Sequence, residues 1–260
     1  MTLIIGIKCS DGVVVAADGA ATLGYLGQKT ALQPFKKLCI LHNKIIIGVS
    51  GPVGLGQRIA GEIDSMWKNN ELSGKQPYEG MTMISEKIRK HIRPELEMAA
   101  TASRTIGNIG LQDALSATLV ALPLAGQPTL LSFDQQGAPE EMRNELPFAS
   151  IGVVQTIADP FLGFIRRIFW RDKPPTVSDG IFAAVWTLEH AILLNPGGVA
   201  KPIQVTALIE LPKEGWIAKE YSILELQEHY EAMEAAEKRL ATFREELQSG
   251  EGAKEIPKPS

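Results

Sequence analysis

Apolar residues run from Leu3 to Ile7, break at Cys9-Ser10-Asp11-Gly12, and resume from Val13 to Ala17 before a charged Asp18. Two short apolar runs around a polar break predict a β-hairpin with an Asp-Gly turn, centred on Ser10 or one residue later. Either register returns Asp18 to the neighbourhood of Thr2 at the open end. The next segment, Gly19 to Gln33, is rich in Ala, Gly and Thr without a sustained period, which suits an irregular loop lining a site. A second hairpin is expected from Lys37 to Leu41 and Ile45 to Ser50, turning at His42-Asn43-Lys44 and leaving Lys37 close to Gly51.

The period then changes from two to about 3.6. Pro52 opens a stretch with Ile59, Ile63 and Met66 or Trp67 on one face, ending near Asn69-Asn70. After Pro77 comes a stripe of Met81, Ile84, Ile88 and Ile92, with Pro94 as an expected kink. Strand patterns return at Ala117 to Leu124, Thr129 to Phe133 and Phe148 to Val154. Helical spacing follows from Thr156 to Trp170, with Phe161, Ile165 and Phe169 in register, and again up to Leu194, where Ser178 reads as the cap. Ile203 to Leu211 and a partner around Trp216 to Ala218 close the series. Strands, two helices, strands, two helices, then strands is an α+β order built from antiparallel hairpins.

Beyond Glu220 the chain turns to Glu, Lys, Ala and Leu, with Leu226, Met233, Leu240 and Leu247 recurring each heptad. The companion positions, Tyr230, Glu237 and Arg244, are polar or amphipathic, so the seam suits a docking helix rather than an autonomous coiled coil. The expected organisation is a main domain over 1–220, a C-terminal amphipathic helix over 221–249, and a flexible tail over 250–260.

With 260 residues, 45% of them hydrophobic, the chain can bury a full core. A formal net charge of -4 gives no basic excess for nucleic acid or an anionic membrane, so proteins or peptides are the expected partners. Cys9 and Cys39 read as reduced core thiols of a cytoplasmic protein. His42, His91, His190 and His229 lack ligand spacing, so neither a metal nor another cofactor is expected.

The chemistry concentrates at the amino end. Removal of Met1, which the small Thr2 side chain permits, would leave a threonine whose free α-amine sits beside its own hydroxyl, a pair that can serve as base and nucleophile. The amine's reference pKa of about 7.7 to 8.0 suits proton transfer near neutrality.

The order of Thr2, an apolar run, Gly6-Ile7, a polar turn and Asp11-Gly12-Val13-Val14-Val15-Ala16-Ala17-Asp18 resembles the amino terminus of proteasome β-subunits and their bacterial relatives, which are N-terminal nucleophile hydrolases. The resemblance extends, weakening, to about Leu211. It implies a four-layer αββα sandwich of two stacked antiparallel sheets. It also implies a threonine endopeptidase in a self-compartmentalised homo-oligomeric ring, acting on peptides or unfolded proteins, with an ATP-dependent unfoldase as a candidate partner. The implied catalytic set is Thr2 as nucleophile, Asp18 and Lys37 tuning its amine, and Gly51 offering a backbone N–H to the oxyanion. Lys37 is preferred over Lys36 because Leu38 and Ile40 then alternate as the strand requires. Ala21, Thr22, Phe35 and Val49 fall where relatives build the pocket for the residue before the scissile bond. Two departures accompany the match: Val153 stands where the family usually carries a serine, and Leu193 and Leu194 occupy the expected acidic position. A weakly active peptidase is therefore expected, with a catalytically quiet ring-forming scaffold and a small-molecule amidase of the same superfamily as alternatives.

Overall fold

Side-chain alternation in the first hairpin sets the layering of the molecule. The computed structural model describes residues 2–25, 28–106, 115–171, 173–195 and 198–249. Strands β1 (Leu3–Cys9) and β2 (Gly12–Ala17) pair antiparallel, Cys9 opposite Gly12 and Ile4 opposite Ala17. The turn is Ser10-Asp11 and Gly12 already belongs to β2, so the expected Asp-Gly turn sits one residue early. The Asp11 carboxylate accepts a 2.7 Å hydrogen bond from the Val177 N–H instead.

The remaining strands are β3 (Ala20–Tyr25), β4 (Gln28–Pro34), β5 (Leu38–Leu41), β6 (Ile45–Ser50), β7 (Ala117–Leu124), β8 (Gln127–Phe133), β9 (Pro139–Glu141), β10 (Phe148–Gly152), β11 (Gln204–Leu211) and β12 (Gly215–Tyr221). They form a five-stranded sheet ordered β10-β1-β2-β11-β12, a second ordered β5-β6-β7-β8-β9, and a separate β3-β4 ribbon. Helices α1 (Val53–Lys68) and α2 (Pro77–Ile106) cover the second sheet, while α3 (Gln155–Ile165) and α4 (Val177–Leu194) lie with the first. Ile4, Val13 and Val15 meet Leu38, Ile46 and Leu119 between the sheets. On the other side of the same hairpin, Ile7, Cys9 and Val14 meet α4 at Gly180. A third core joins Ile47, Val120 and Leu131 to Ile59, Ile63 and Ile88 of the outer helices. This is the αββα sandwich expected from the order of elements.

Several local expectations are corrected. Among the described residues of the segment 19–33, β3 and β4 pair as an antiparallel ribbon with a register shift at Leu23/Gly24, where an irregular loop was expected. α2 carries Pro94 in its interior and runs on to Ile106, longer than the stripe ending at Ile92 suggests. In the third helical stretch a π-helical turn, Arg166–Trp170, follows α3. The altered phase buries Trp170 and leaves Phe169 half exposed, so the inward face is Ala158, Leu162, Ile165 and Trp170. Cys9 is buried, but Cys39 is exposed rather than a core thiol. Among the described residues α4 alone has the length and hydropathy to cross a membrane, yet more than half of it is buried as in a core helix.

The chain divides into two compact units, Met1–Tyr221 and Ser222–Ser260. The described part of the second is a turn closed by Ser222 and Glu225, followed by α5 (Gln227–Ser249). The helix thus begins later than the composition change suggests, and 250–260 lie outside the described residues.

α4 is capped by Thr176, not Ser178. Thr176 Oγ1 accepts from Asp179 N while the Asp179 side chain accepts from Thr176 N, a reciprocal capping box. Thr176→Ala should therefore lower unfolding free energy by ~1 kcal/mol in denaturant titration, whereas Ser178→Ala should change it by well under half that. The reverse ranking would contradict this cap.

Candidate active site

Closing the first hairpin buries a carboxylate. Asp18 N donates to Leu3 O at 3.2 Å, and Asp18 Oδ1 accepts from Leu3 N at 2.9 Å, so the residue after β2 ties down the residue after Thr2. Asp18 Oδ2 accepts from Ala20 N at 3.3 Å and Ala200 N at 3.4 Å. The group is fully buried, so its charge requires this shell of donors.

The cation comes from the connection between β4 and β5. Lys37 Nζ lies 2.5 Å from Asp18 Oδ1 and donates to Thr2 Oγ1 at 3.3 Å. Its side chain is 4% exposed. Burial pulls the Lys37 pKa below the ordinary lysine range, and the adjacent Asp18 charge and hydrogen bond partly oppose that fall. Lys36, the rival in sequence, reaches outward to Glu220 at 2.7 Å.

Thr2 and Lys37 lie on the wall of a cavity of about 320 Å³ that also touches Ala21, Phe35, Val49 and Gly51. Thr22 pairs with Leu32 in the ribbon, and its side chain lies outside the described residues. The cavity continues between β5, β6 and α1, past Cys39, Ile47 and Ala60. Cys39 is exposed as a residue, but partial desolvation beside the cavity still raises the pKa of its thiol, which keeps it protonated at neutral pH. Gly51 has φ +136°, and a Cβ there would stand 2.7 Å from Leu115 O. Only glycine suits that conformation and space. At Gly152, φ +112°, a Cβ would fall 2.0 Å from Thr2 O, so this glycine lets β10 approach the Thr2 backbone.

Val153 is 59% exposed and carries no hydroxyl. Leu193 and Leu194 are exposed at the end of α4, and 196–197 lie outside the described residues. Sequence reasoning passed over Gln204, whose side chain bonds the backbone on either side of Lys36. Nothing local marks a glutamine at the start of a strand as reaching 167 residues back.

A family model for the proteasome subunit matches residues 2–163. The chain belongs to the proteasome-subunit family. Among solved structures, a Gly-1 mutant of Anbu from Hyphomicrobium sp. strain MC1 matches with TM-score 0.66 and 14% identity, covering 100% of both chains. Anbu from Yersinia bercovieri, described as an ancestral β-subunit, matches with TM-score 0.66 and 16% identity over 99% of each chain. The helical assembly of the Anbu complex from Pseudomonas aeruginosa gives TM-score 0.66 and 16% identity, covering 99% of this chain and 98% of that one. At such identities the likeness is one of fold, and the fold is that of the N-terminal nucleophile hydrolases. Comparison with curated protein sequences finds no match.

Two measurements probe the buried pair. Asp18→Ala removes the carboxylate beside a buried ammonium together with acceptors for Leu3 and Ala20, and should cost about 3–5 kcal/mol of unfolding free energy. A loss below ~1 kcal/mol, typical of exposed pairs, would contradict a structural burial of this charge. The second concerns pH. Because the folded Lys37 pKa lies below its unfolded value of about 10.4, the unfolded chain binds more protons between the two, and stability due to Lys37 rises with pH there. Wild type should gain on Lys37→Met as alkaline pH increases through that window, as read by denaturant midpoints. A falling difference would reverse the sign.

Proposed function

We propose that the protein is a proteasome-like threonine peptidase whose nucleophile is Thr2 after removal of Met1. The observation that carries the reading is the contact chain Thr2 Oγ1, Lys37 Nζ, Asp18 Oδ1 at the wall of a cavity. The α-amine of Thr2 takes the hydroxyl proton, through a water, as Oγ1 attacks the peptide carbonyl carbon. The Lys37 ammonium stabilises negative charge on Oγ1 and lowers the proton affinity of the nearby amine. Asp18 holds that ammonium, and the N–H of Gly51 donates to the oxyanion. Collapse of the tetrahedral intermediate passes the proton to the leaving amine and leaves an ester on Thr2, which water hydrolyses. Every group in this scheme comes from the chain, with no cofactor.

Ala21, Phe35 and Val49 make an uncharged wall, which supports a preference for medium apolar side chains before the scissile bond. Thr22 is retained as a candidate beside them. The Anbu complex of Pseudomonas aeruginosa forms a helical assembly, and self-association into a ring or helix is proposed here too. Peptides or unfolded proteins in the cytoplasm, delivered by an unfoldase, complete the proposal.

A quiet scaffold is the second reading, and exposed Val153 in place of a hydroxyl favours it. Loss of one preorganised donor costs about a hundredfold or more in rate, so turnover should be weak while nucleophilicity survives better. An irreversible electrophile directed at N-terminal threonine should label Thr2 slowly in processed protein, and Thr2→Ala and Lys37→Ala should each abolish the adduct by intact mass. Val153→Ser should speed labelling. Processed, assembled protein that takes no label on long exposure belongs to the scaffold reading.

A further inference from the structure

We infer that Gln204 is a positioning residue for Lys37, holding the lysine's backbone while Asp18 holds its ammonium. The inference rests on the proposed role of Lys37 at Thr2. Phe35, Lys36 and Lys37 belong to neither β4 nor β5, so their backbone groups lack ladder partners. Phe35 N donates to Gly19 O at 2.8 Å. One amide supplies further anchors: Gln204 Nε2 donates to Phe35 O at 2.7 Å, and Gln204 Oε1 accepts from Lys37 N at 2.9 Å and Leu38 N at 3.4 Å. A primary amide is the side chain that offers an acceptor and a donor on one planar head. Glutamate supplies acceptors alone at neutral pH, leucine supplies neither, and asparagine is one methylene short.

The placement of Gln204 gives the clamp its function. In the register of β11 on β2, Gln204 stands opposite Ala17, the residue before Asp18. One strand pair therefore fixes both the carboxylate that binds the Lys37 ammonium and the amide that binds the Lys37 backbone. With both ends tied to the same sheet, Nζ keeps its 3.3 Å contact with Thr2 Oγ1. Phe35, held by the other half of the amide, lines the cavity, so the same group shapes the pocket wall. The two bonds make separable contributions: the one to Lys37 N to nucleophile activation, the one to Phe35 O to ligand binding.

The test uses processed, full-length protein carrying Gln204→Leu or Gln204→Glu. A pulse of acetic anhydride, read by peptide mass, reports how often the Lys37 amine leaves its buried position. Gln204→Leu should raise Lys37 acylation relative to Lys36 by up to about tenfold, the effect of losing a hydrogen bond that holds the closed state. Thr2 labelling by the electrophile should slow by about a hundredfold, as a displacement of ~1 Å can produce. Gln204→Glu keeps an acceptor for Lys37 N, so its acylation should stay near wild type. Its added negative charge should move the pH midpoint of labelling upward, which a merely structural role would not do, and it carries the test should Gln204→Leu fail to fold. Folded variants with wild-type Lys37 acylation and an unmoved pH midpoint overturn the clamp. If wild type takes no electrophile but Gln204→Leu still exposes Lys37, the clamp stands and the peptidase reading falls.

Discussion

A carboxylate with no access to water is the constraint to which this structure answers. The buried oxygens of Asp18 need hydrogen-bond donors, and those donors come from separate parts of the chain: Leu3, Ala20, Ala200 and Lys37. Meeting that requirement closes the first hairpin, anchors the entry to the β3-β4 ribbon, draws in the connection before β11, and brings a lysine from the neighbouring sheet. The desolvation cost of such a pair generally matches or exceeds its mutual attraction, so stability alone gives little reason to retain it. The Thr2 hydroxyl beside the ammonium, the proposed nucleophile, gives a better one. Burial keeps Lys37 less basic than usual, while Asp18 keeps that fall from going further.

The architecture was legible where period and punctuation agreed. Ile59, Ile63 and Met66 with Pro52 before and Asn69 after define α1 from sequence alone, and the structure has Pro52 and Asn69 at its two caps. The two apolar runs of the first hairpin were readable as strands, though not which face met which layer. The errors share a physical origin in tertiary pairing. The β3-β4 ribbon is made by pairing between two segments rich in Ala, Gly and Thr, whose sequence shows no sustained period, so it reads as a loop. Ser178-Asp179 imitates a cap, but Asp179 serves Thr176. A π-helical turn shifts phase by one residue and moves burial from Phe169 to Trp170.

At the site the same division holds. The return of Asp18 to Thr2 follows from hairpin geometry, whereas the choice of Lys37 over Lys36 rested on alternation and family resemblance; in space Lys37 points to Asp18 and Lys36 to Glu220. Gln204 was illegible, because a polar residue opening a strand has many ordinary explanations and its partners lie far back in the chain. Nothing in the sequence singles out Gly152, yet its lack of a side chain is what lets β10 lie against Thr2. Thr2, Asp18 and Lys37 each stand one residue beyond the end of a strand, so the pairing of β1 and β2 and the start of β5 bring the contact chain together.

The central claim is that Thr2 reacts through its own α-amine. Two preparations of the assembled protein, one keeping Met1 and one released from a cleavable fusion to begin at Thr2, can be exposed to the same threonine-directed electrophile and compared by intact mass and peptide mapping. The account predicts an adduct on Thr2 only in the protein that begins there. Equal labelling of both, or labelling elsewhere in both, would contradict it.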